Sequence, residues 1–167
     1  MPKLSDIDQK PEEYMAAVRQ FVENPRGMFL IAGKNGNGKS FTARAIFEWY
    51  HDPMMDKQFW NQAKLNMHFI KTHNEYGDTS YILQEILKAP LLVLDDIGTR
   101  KPSDAFMDFL YWIADQRYEN RDTQGTIITT NLNAQSMREI MGDAFTSRVA
   151  SGICIRHDGP DRRADKF

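Results

Sequence analysis

Cysteine is almost missing: Cys154 is the single thiol in 167 residues. With no second cysteine, no disulfide can close within the chain and no thiolate cluster can hold zinc. Cys154 sits in an apolar stretch, 152–156, that reads as a strand, and there it reads as a small buried hydrophobe. Long apolar runs are missing too. No segment approaches the ~20 residues that cross a bilayer. The polar, mixed-charge start at 1–10 is not a signal peptide, so the chain reads as cytoplasmic with no membrane partner. An excess of positive charge is also lacking. The formal net charge is −2, whereas phosphate neutralisation by a basic excess supplies most of the affinity of an autonomous duplex-DNA binder. That argues against strong DNA binding by one copy and leaves a local basic stripe open. Repeats and low-complexity segments are absent. What remains is one domain's worth of chain, able to bury roughly 70% of its unfolded surface.

Helical and strand periodicities alternate along the sequence, the pattern of a parallel α/β sheet. Pro11 opens a helix that Asn24-Pro25 closes, with Tyr14, Val18, Phe21 and Val22 on one face. Residues 28–32 form a short continuous apolar run, as a strand covered on both faces should. The glycine-rich stretch 33–38 is a turn, and a helix follows to about Tyr50 with Phe41, Ala45, Ile46 and Trp49 inward. Residues 51–66 read as irregular or weakly helical. Residues 67–71 read as a second strand, 80–88 as a helix stopped by Pro90, and 91–94 as the most apolar strand, ending on Asp95-Asp96. Pro102-Ser103 starts a long helix to about Asn120, with Phe106, Phe109, Leu110 and Ile113 as its core face. Met107, Tyr111 and Trp112 widen that face, so the helix should be covered on more than one side. Residues 125–130 form a fourth strand and 134–141 a helix ended by Gly142. Asp143 can cap a short helix to about Ala150, and 152–156 is the last strand. The expected division is a core over 1–157 and a mobile polar tail over 158–167.

The chemistry concentrates at strand ends. Gly33-Lys34-Asn35-Gly36-Asn37-Gly38-Lys39-Ser40 fits G-x-x-x-x-G-K-[ST] in full, between an apolar strand and an amphipathic helix. Glycines let the backbone curl so that successive N–H groups face phosphate oxygens. The helix that follows presents its positive N-terminus to the same anion. Lys39 reaches the β- and γ-phosphates as a point charge, and the Ser40 hydroxyl is a hard ligand suited to magnesium. Gly33, Asn35, Gly36, Asn37, Gly38, Lys39, Ser40 and Phe41 are therefore the candidate ATP-binding residues. A strand beside the first would bring Asp95 and Asp96 to the phosphates, where open α/β sheets bind ligands. Asp95 is then the carboxylate on the magnesium side. Asp96 orients and deprotonates water, a role worth about 10²–10⁴ in rate. Asn131, ending the fourth strand, can hold that water or the γ-phosphate, or can simply be a turn former before a helix. On periodicity alone Arg148 reads as a solvated arginine near a helix C-terminus, favoured there by the dipole.

These blocks make the sequence resemble the AAA+ ATPases of the DnaC/DnaI helicase-loader group, with the transposition helper IstB as a close relative. The likeness runs from about Pro11 to Arg156 and rests on four stretches: 33–40; Leu91-Leu92-Val93-Leu94-Asp95-Asp96-Ile97-Gly98; 116–131, with Arg117-Tyr118-Glu119-Asn120-Arg121 before Thr126-Ile127-Ile128-Thr129-Thr130-Asn131; and 142–149, where Gly142-Asp143 leads to Ser147-Arg148. The first is common to P-loop proteins. The Asp-Asp-Ile-Gly ending and the Arg-Tyr-Glu-Asn-Arg segment favour the loader branch. The resemblance implies a three-layer α/β P-loop NTPase fold of AAA+ type with a parallel five-stranded sheet. It makes Asn131 the residue called sensor 1 and Arg148 an arginine finger reaching the ATP of a neighbouring copy. It also implies a magnesium-dependent ATPase, a head-to-tail homo-oligomer, and a replicative helicase as partner.

The sequence departs from the family at both ends. Its first residues lie close to the ATPase core, so the family's helicase-gripping extension is not expected, nor a full helical lid domain after Arg156. Arg162 or Arg163 is a weak candidate for the lid arginine called sensor 2. Other functions compete. A nucleotide or small-molecule kinase would need a second substrate pocket with clustered arginines, which the stretch from Asp96 to Asn131 does not offer. A module that uses ATP only as an assembly switch, and an IstB-like transposition helper, stay open. Weak contacts to single-stranded DNA would draw on cations and aromatics such as Lys71, His73, Tyr76, Arg100 and Lys101, each of which can equally be a solvated loop residue.

Overall fold

Alternation within each strand decides the architecture. The computed structural model describes residues 1–7, 10–76, 80–156 and 158. Strands β1 (Gly27–Ala32), β2 (Gln58–Asn61), β3 (Leu91–Ile97), β4 (Gly125–Thr130) and β5 (Ile153–Arg156) form one sheet in the order β2-β3-β4-β1-β5, every pair parallel. Successive side chains of a strand face opposite ways. Phe29, Ile31, Leu91, Val93, Ile127 and Ile155 thus enter one core, shared with α1 (Glu12–Glu23), α2 (Lys39–Trp49) and Ile7 of a short 3-10 helix (Leu4–Ile7). Met28, Leu30, Leu92, Leu94 and Ile128 enter the other. That core is shared with α3 (Gln62–Tyr76), α4 (Ser80–Lys88), α5 (Asp104–Glu119), α6 (Ala134–Met141) and α7 (Asp143–Val149). The result is the three-layer parallel α/β fold expected. Because both faces are covered, β1 and the first four residues of β3 are unbroken apolar runs, and β4, half of it threonine, is buried at every position.

Helix ends follow local chemistry. The Ser103 hydroxyl caps α5 by accepting from the Phe106 N–H, and Asn133 caps α6 by accepting from the Ser136 N–H. One expected cap is different: Gly142 (φ 83°) precedes α7, and Asp143 lies in the first turn without a capping bond. Asp143 instead faces Arg138 at 3.7 Å, so its charge serves the helix dipole rather than an N–H group.

Four further expectations are corrected. The stretch 67–71 is not a strand: it lies within α3, and the strand is β2, inside the region read as irregular. Leu65 is fully buried and Phe69 lies against the same core, four residues apart on one helical face, while Met67 is 72% exposed. In α2 the inward positions are Thr42, Ala43, Ala45 and Ile46; Phe41 and Trp49 face outward. Cys154 is exposed. It lies on edge strand β5, whose Ile153 and Ile155 turn to the α1 side while Cys154 turns the other way. On α5, Met107 and Tyr111 pack against the core as expected, but Trp112 is exposed. The tail from Gly159 onward, with Arg162 and Arg163, lies outside the described residues. No helix among the described residues is long and apolar enough to cross a membrane.

Candidate functional site

The C-terminal edge of the sheet gathers the polar residues. The loop after β1 turns on Gly36 (φ 74°) and Gly38 (φ 90°) and delivers the chain into α2. Two features favour glycine at Gly38. Its φ lies in the left-handed region, and a Cβ there would come within 3.1 Å of Lys10 Nζ. The buried Lys39 ammonium donates back to the carbonyls of Gly33 (2.8 Å) and Lys34 (2.7 Å). From behind, the buried Lys10 ammonium donates to the Asn37 carbonyl, and Tyr14 OH donates to Thr42 Oγ1 at 3.0 Å. The loop is thus braced by α1 and the segment before it, a support that only proximity in the fold reveals.

β4 lies between β1 and β3, so the strand carrying the carboxylates is one place removed from the loop rather than beside it. Strands sit 4.7–4.9 Å apart, which leaves a gap of about 10 Å between Gly33 and the end of β3. A cavity of about 590 Å³ is lined by Asn35, Gly36, Gly38, Lys39, Ser40 and Phe41 together with Asp96, Thr99 and Asn131. Gly33, Asn37 and Asp95 do not line it. Asp95 is buried behind the edge, where its Oδ1 accepts from Thr129 Oγ1 at 2.6 Å. The same hydroxyl accepts from the Asp96 N–H at 2.9 Å. Asp96 is the one non-glycine residue among those described with positive φ (64°), at the irregularity in the β3–β4 register. That conformation turns its carboxylate toward the cavity. There Oδ1 accepts from Thr99 Oγ1 (2.8 Å) and Asn131 Nδ2 (3.0 Å).

Gly98 and Arg117, from the two specific motifs, have structural jobs. Gly98 (φ 83°) has no room for a side chain, because a Cβ would lie 2.3 Å from Leu132 Cδ1. Its N–H donates to Gln62 Oε1 (2.7 Å), while Gln62 Nε2 donates to the Arg100 carbonyl (2.8 Å). Gln62 therefore fixes the loop that carries Thr99. Thr130 Oγ1 donates to the Ile97 carbonyl (2.7 Å) and accepts from Leu132 N–H (3.1 Å). Arg117 is fully buried. Its guanidinium donates to Thr126 Oγ1 (2.8 Å), the Ala89 carbonyl (2.6 Å) and the Gly125 carbonyl. Burial lowers its pKa to about 10. Thr99, Gln62 and Lys10 were missed by sequence reading. The threonine directly follows a recognised block without belonging to it, and the glutamine lies in the stretch 51–66 that reads as irregular.

Arg148 is not brought to the loop of its own chain. It extends from α7 to α5, where Nε donates to Asp115 Oδ1 at 2.9 Å. The chain after α7 meets β1 at Met28, against whose backbone Gly152 lies, at the edge of the sheet opposite the loop. Of the residues considered for single-stranded DNA, Lys71, Arg100 and Lys101 are exposed, and the side chains of His73 and Tyr76 lie outside the described part.

The cavity suits a nucleoside triphosphate: a glycine-turned loop opening a helix, an ammonium beside it, and carboxylate and amide groups across a gap. Fold and site together define an ATP-binding domain of the P-loop AAA+ class. A model of the IstB-like ATP-binding proteins matches residues 3–153, and the chain belongs to that family. Among curated proteins it is 28% identical over 124 residues to the uncharacterized protein YdaV of Escherichia coli (strain K12). The match covers 72% of this chain and 48% of that protein, so the chain spans about half the length of the curated relative it matches. A crystal structure of the DnaC helicase loader superposes with a TM-score of 0.79 at 24% identity, covering 93% of this chain and 96% of that one. AMPPCP-bound DnaA from Aquifex aeolicus superposes with a TM-score of 0.78 at 18% identity, covering 93% and 49%. At these identities the likeness shows the fold.

Proposed function

We propose that the chain is a magnesium-dependent ATPase that assembles head to tail with its own copies and serves a replicative helicase. The observation that carries the ATPase reading is the convergence of Lys39, Ser40, Asp96, Thr99 and Asn131 on one cavity. When bound, ATP supplies the anhydride to be cleaved, and magnesium supplies charge that steadies its oxygens. Ser40 and Asp95 are the residues that would hold the metal. The glycine-rich loop and Lys39 hold the phosphates. Asp96 keeps Oδ2 for the proton of the attacking water, since Thr99 and Asn131 both bond to Oδ1. Asn131 and Thr99 aim the carboxylate. Arg148, directed away from its own loop, serves the site of a neighbouring copy.

The helicase partner rests on the likeness to the DnaC loader. The family match favours a second reading, an ATPase helping a transposase, because that family takes its name from IstB. The ATPase rate per chain, measured against protein concentration with and without single-stranded DNA, tests the common core. It should rise with concentration and vanish in Lys39→Ala. ATP binding without turnover at any concentration would leave only the assembly switch. A pull-down with replicative helicase and with transposase, ATP present, separates the two partner readings.

A further inference from the structure

Within the segment Arg117-Tyr118-Glu119-Asn120-Arg121, Tyr118 meets Arg148 and Arg117 secures the helix turn that carries it. Arg117 anchors the last turn of α5 from inside, bonded to Thr126 and to two carbonyls at the base of β3 and β4. The next residue, Tyr118, is half-buried and packs against the core on that side of the sheet, which holds its ring in place. The Arg148 guanidinium lies 5.0 Å from the ring centroid, and the Arg121 guanidinium lies 4.4 Å from it. Asp115, one turn earlier on α5, takes the edge of Arg148 through Nε at 2.9 Å. An ion pair this accessible, with side chains 33% and 28% exposed, contributes little to folding. Its geometric effect is larger. A free arginine side chain samples many rotamers. Here the ring face and the carboxylate together set the guanidinium plane before any partner arrives. Among the described residues, the terminal nitrogens donate to no side chain or carbonyl. The edge that matches a phosphate in two parallel bonds is thus left available.

We propose that Asp115 and Tyr118 are positioning residues that pre-aim Arg148 at the nucleotide of a neighbouring copy; this rests on the trans reading of Arg148 given above. An arginine finger contributes about 10³–10⁵ in rate, and misplacing a reacting group by about 1 Å can cost about 100-fold. Asp115→Asn and Tyr118→Leu should therefore lower turnover of the assembled protein by about 10- to 100-fold. ATP affinity by calorimetry should stay unchanged. Tyr118→Phe keeps the ring and should retain more of the rate than Tyr118→Leu.

Mixing identifies the direction. Asp115→Asn with Lys39→Ala should recover activity, because the latter lends an intact Arg148 to an intact loop. Asp115→Asn with Arg148→Ala should not recover. The double variant Asp115→Asn/Arg148→Ala should be no slower than Arg148→Ala alone. A thermal melt shows that each variant is folded; if Tyr118→Leu is not, Asp115→Asn decides. If Arg148→Ala cripples turnover while Asp115→Asn does not, or if the Asp115→Asn loss is not rescued by Lys39→Ala, the positioning role is overturned and the finger stands. If Arg148→Ala turns over at the full rate, the finger and its positioning fall together.

Discussion

Asn131 Nδ2 donates to Asp96 Oδ1 at 3.0 Å, joining the end of β4 to the end of neighbouring β3 on one wall of the cavity. The bond orients a carboxylate that sits at φ 64°. Asparagine tolerates that conformation better than most residues, so Asp96→Asn should keep the backbone and lose only the proton acceptor. Expected is ATP binding near wild type with turnover lower by about 10²–10⁴. Asn131→Ala, which leaves the acceptor but not its aim, should lose less. Single-turnover hydrolysis with calorimetric affinities checks both.

Asp95 should behave differently from Asp96. Its carboxylate is buried and tied to Thr129, and its expected work is on the metal side. Asp95→Asn should abolish the part of ATP affinity that depends on magnesium and leave the affinity in chelator unchanged. Identical behaviour of Asp95→Asn and Asp96→Asn in binding and turnover would refute this division of labour.

Arg117 predicts a stability effect away from the nucleotide. Arg117→Met removes the donors that the Ala89 and Gly125 carbonyls and the Thr126 hydroxyl meet inside the protein. Leaving buried acceptors without donors should cost roughly 2–4 kcal/mol, read from urea unfolding. ATP affinity, set at the opposite edge of the sheet, should change little in the folded variant.

Tyr14 predicts a pH effect. Burial pushes its phenol up to about 12 from an ordinary 10.0, against the smaller opposing pull of the Thr42 bond. The folded state thus keeps a proton that the unfolded state releases near 10. The corresponding stability is fully present below pH 10 and is lost as pH rises through about 12. Between pH 8 and pH 11 the wild type should lose more stability in urea than Tyr14→Phe does. An equal loss in both would show that Tyr14 contributes nothing to the alkaline limb.

Much of this was legible because the signals are local. The stretch from β1 through α2 is an apolar run, a glycine turn and a helix in unbroken order, each recognisable within a few residues. The ends of β3 and β4 were legible because carboxylate and amide groups stop apolar strands. β2 and α3 were not. Four half-buried strand residues, Gln58–Asn61, carry little pattern, while His68-Phe69-Ile70 beside Met67 mimics a strand until Leu65 and Phe69 are seen to share a helical face. Cys154 was misplaced because an apolar strand at a sheet edge need not be covered on both sides.

The sequence by itself determined that a phosphate-binding loop exists and which strand ends carry acid and amide, because those properties belong to short runs of residues. Only the tertiary structure decided that β4 separates β1 from β3 and opens the gap the cavity occupies. Only it brought Thr129 and Gln62 to the carboxylate strand and its loop and Lys10 to the glycine-rich loop, and turned Arg148 toward Asp115 and away from its own loop. The Asp95–Thr129 and Arg148–Asp115 bonds join residues 34 and 33 positions apart. Such partners meet only through strand order and the packing of helices on the sheet, which are properties of the whole chain rather than of any segment.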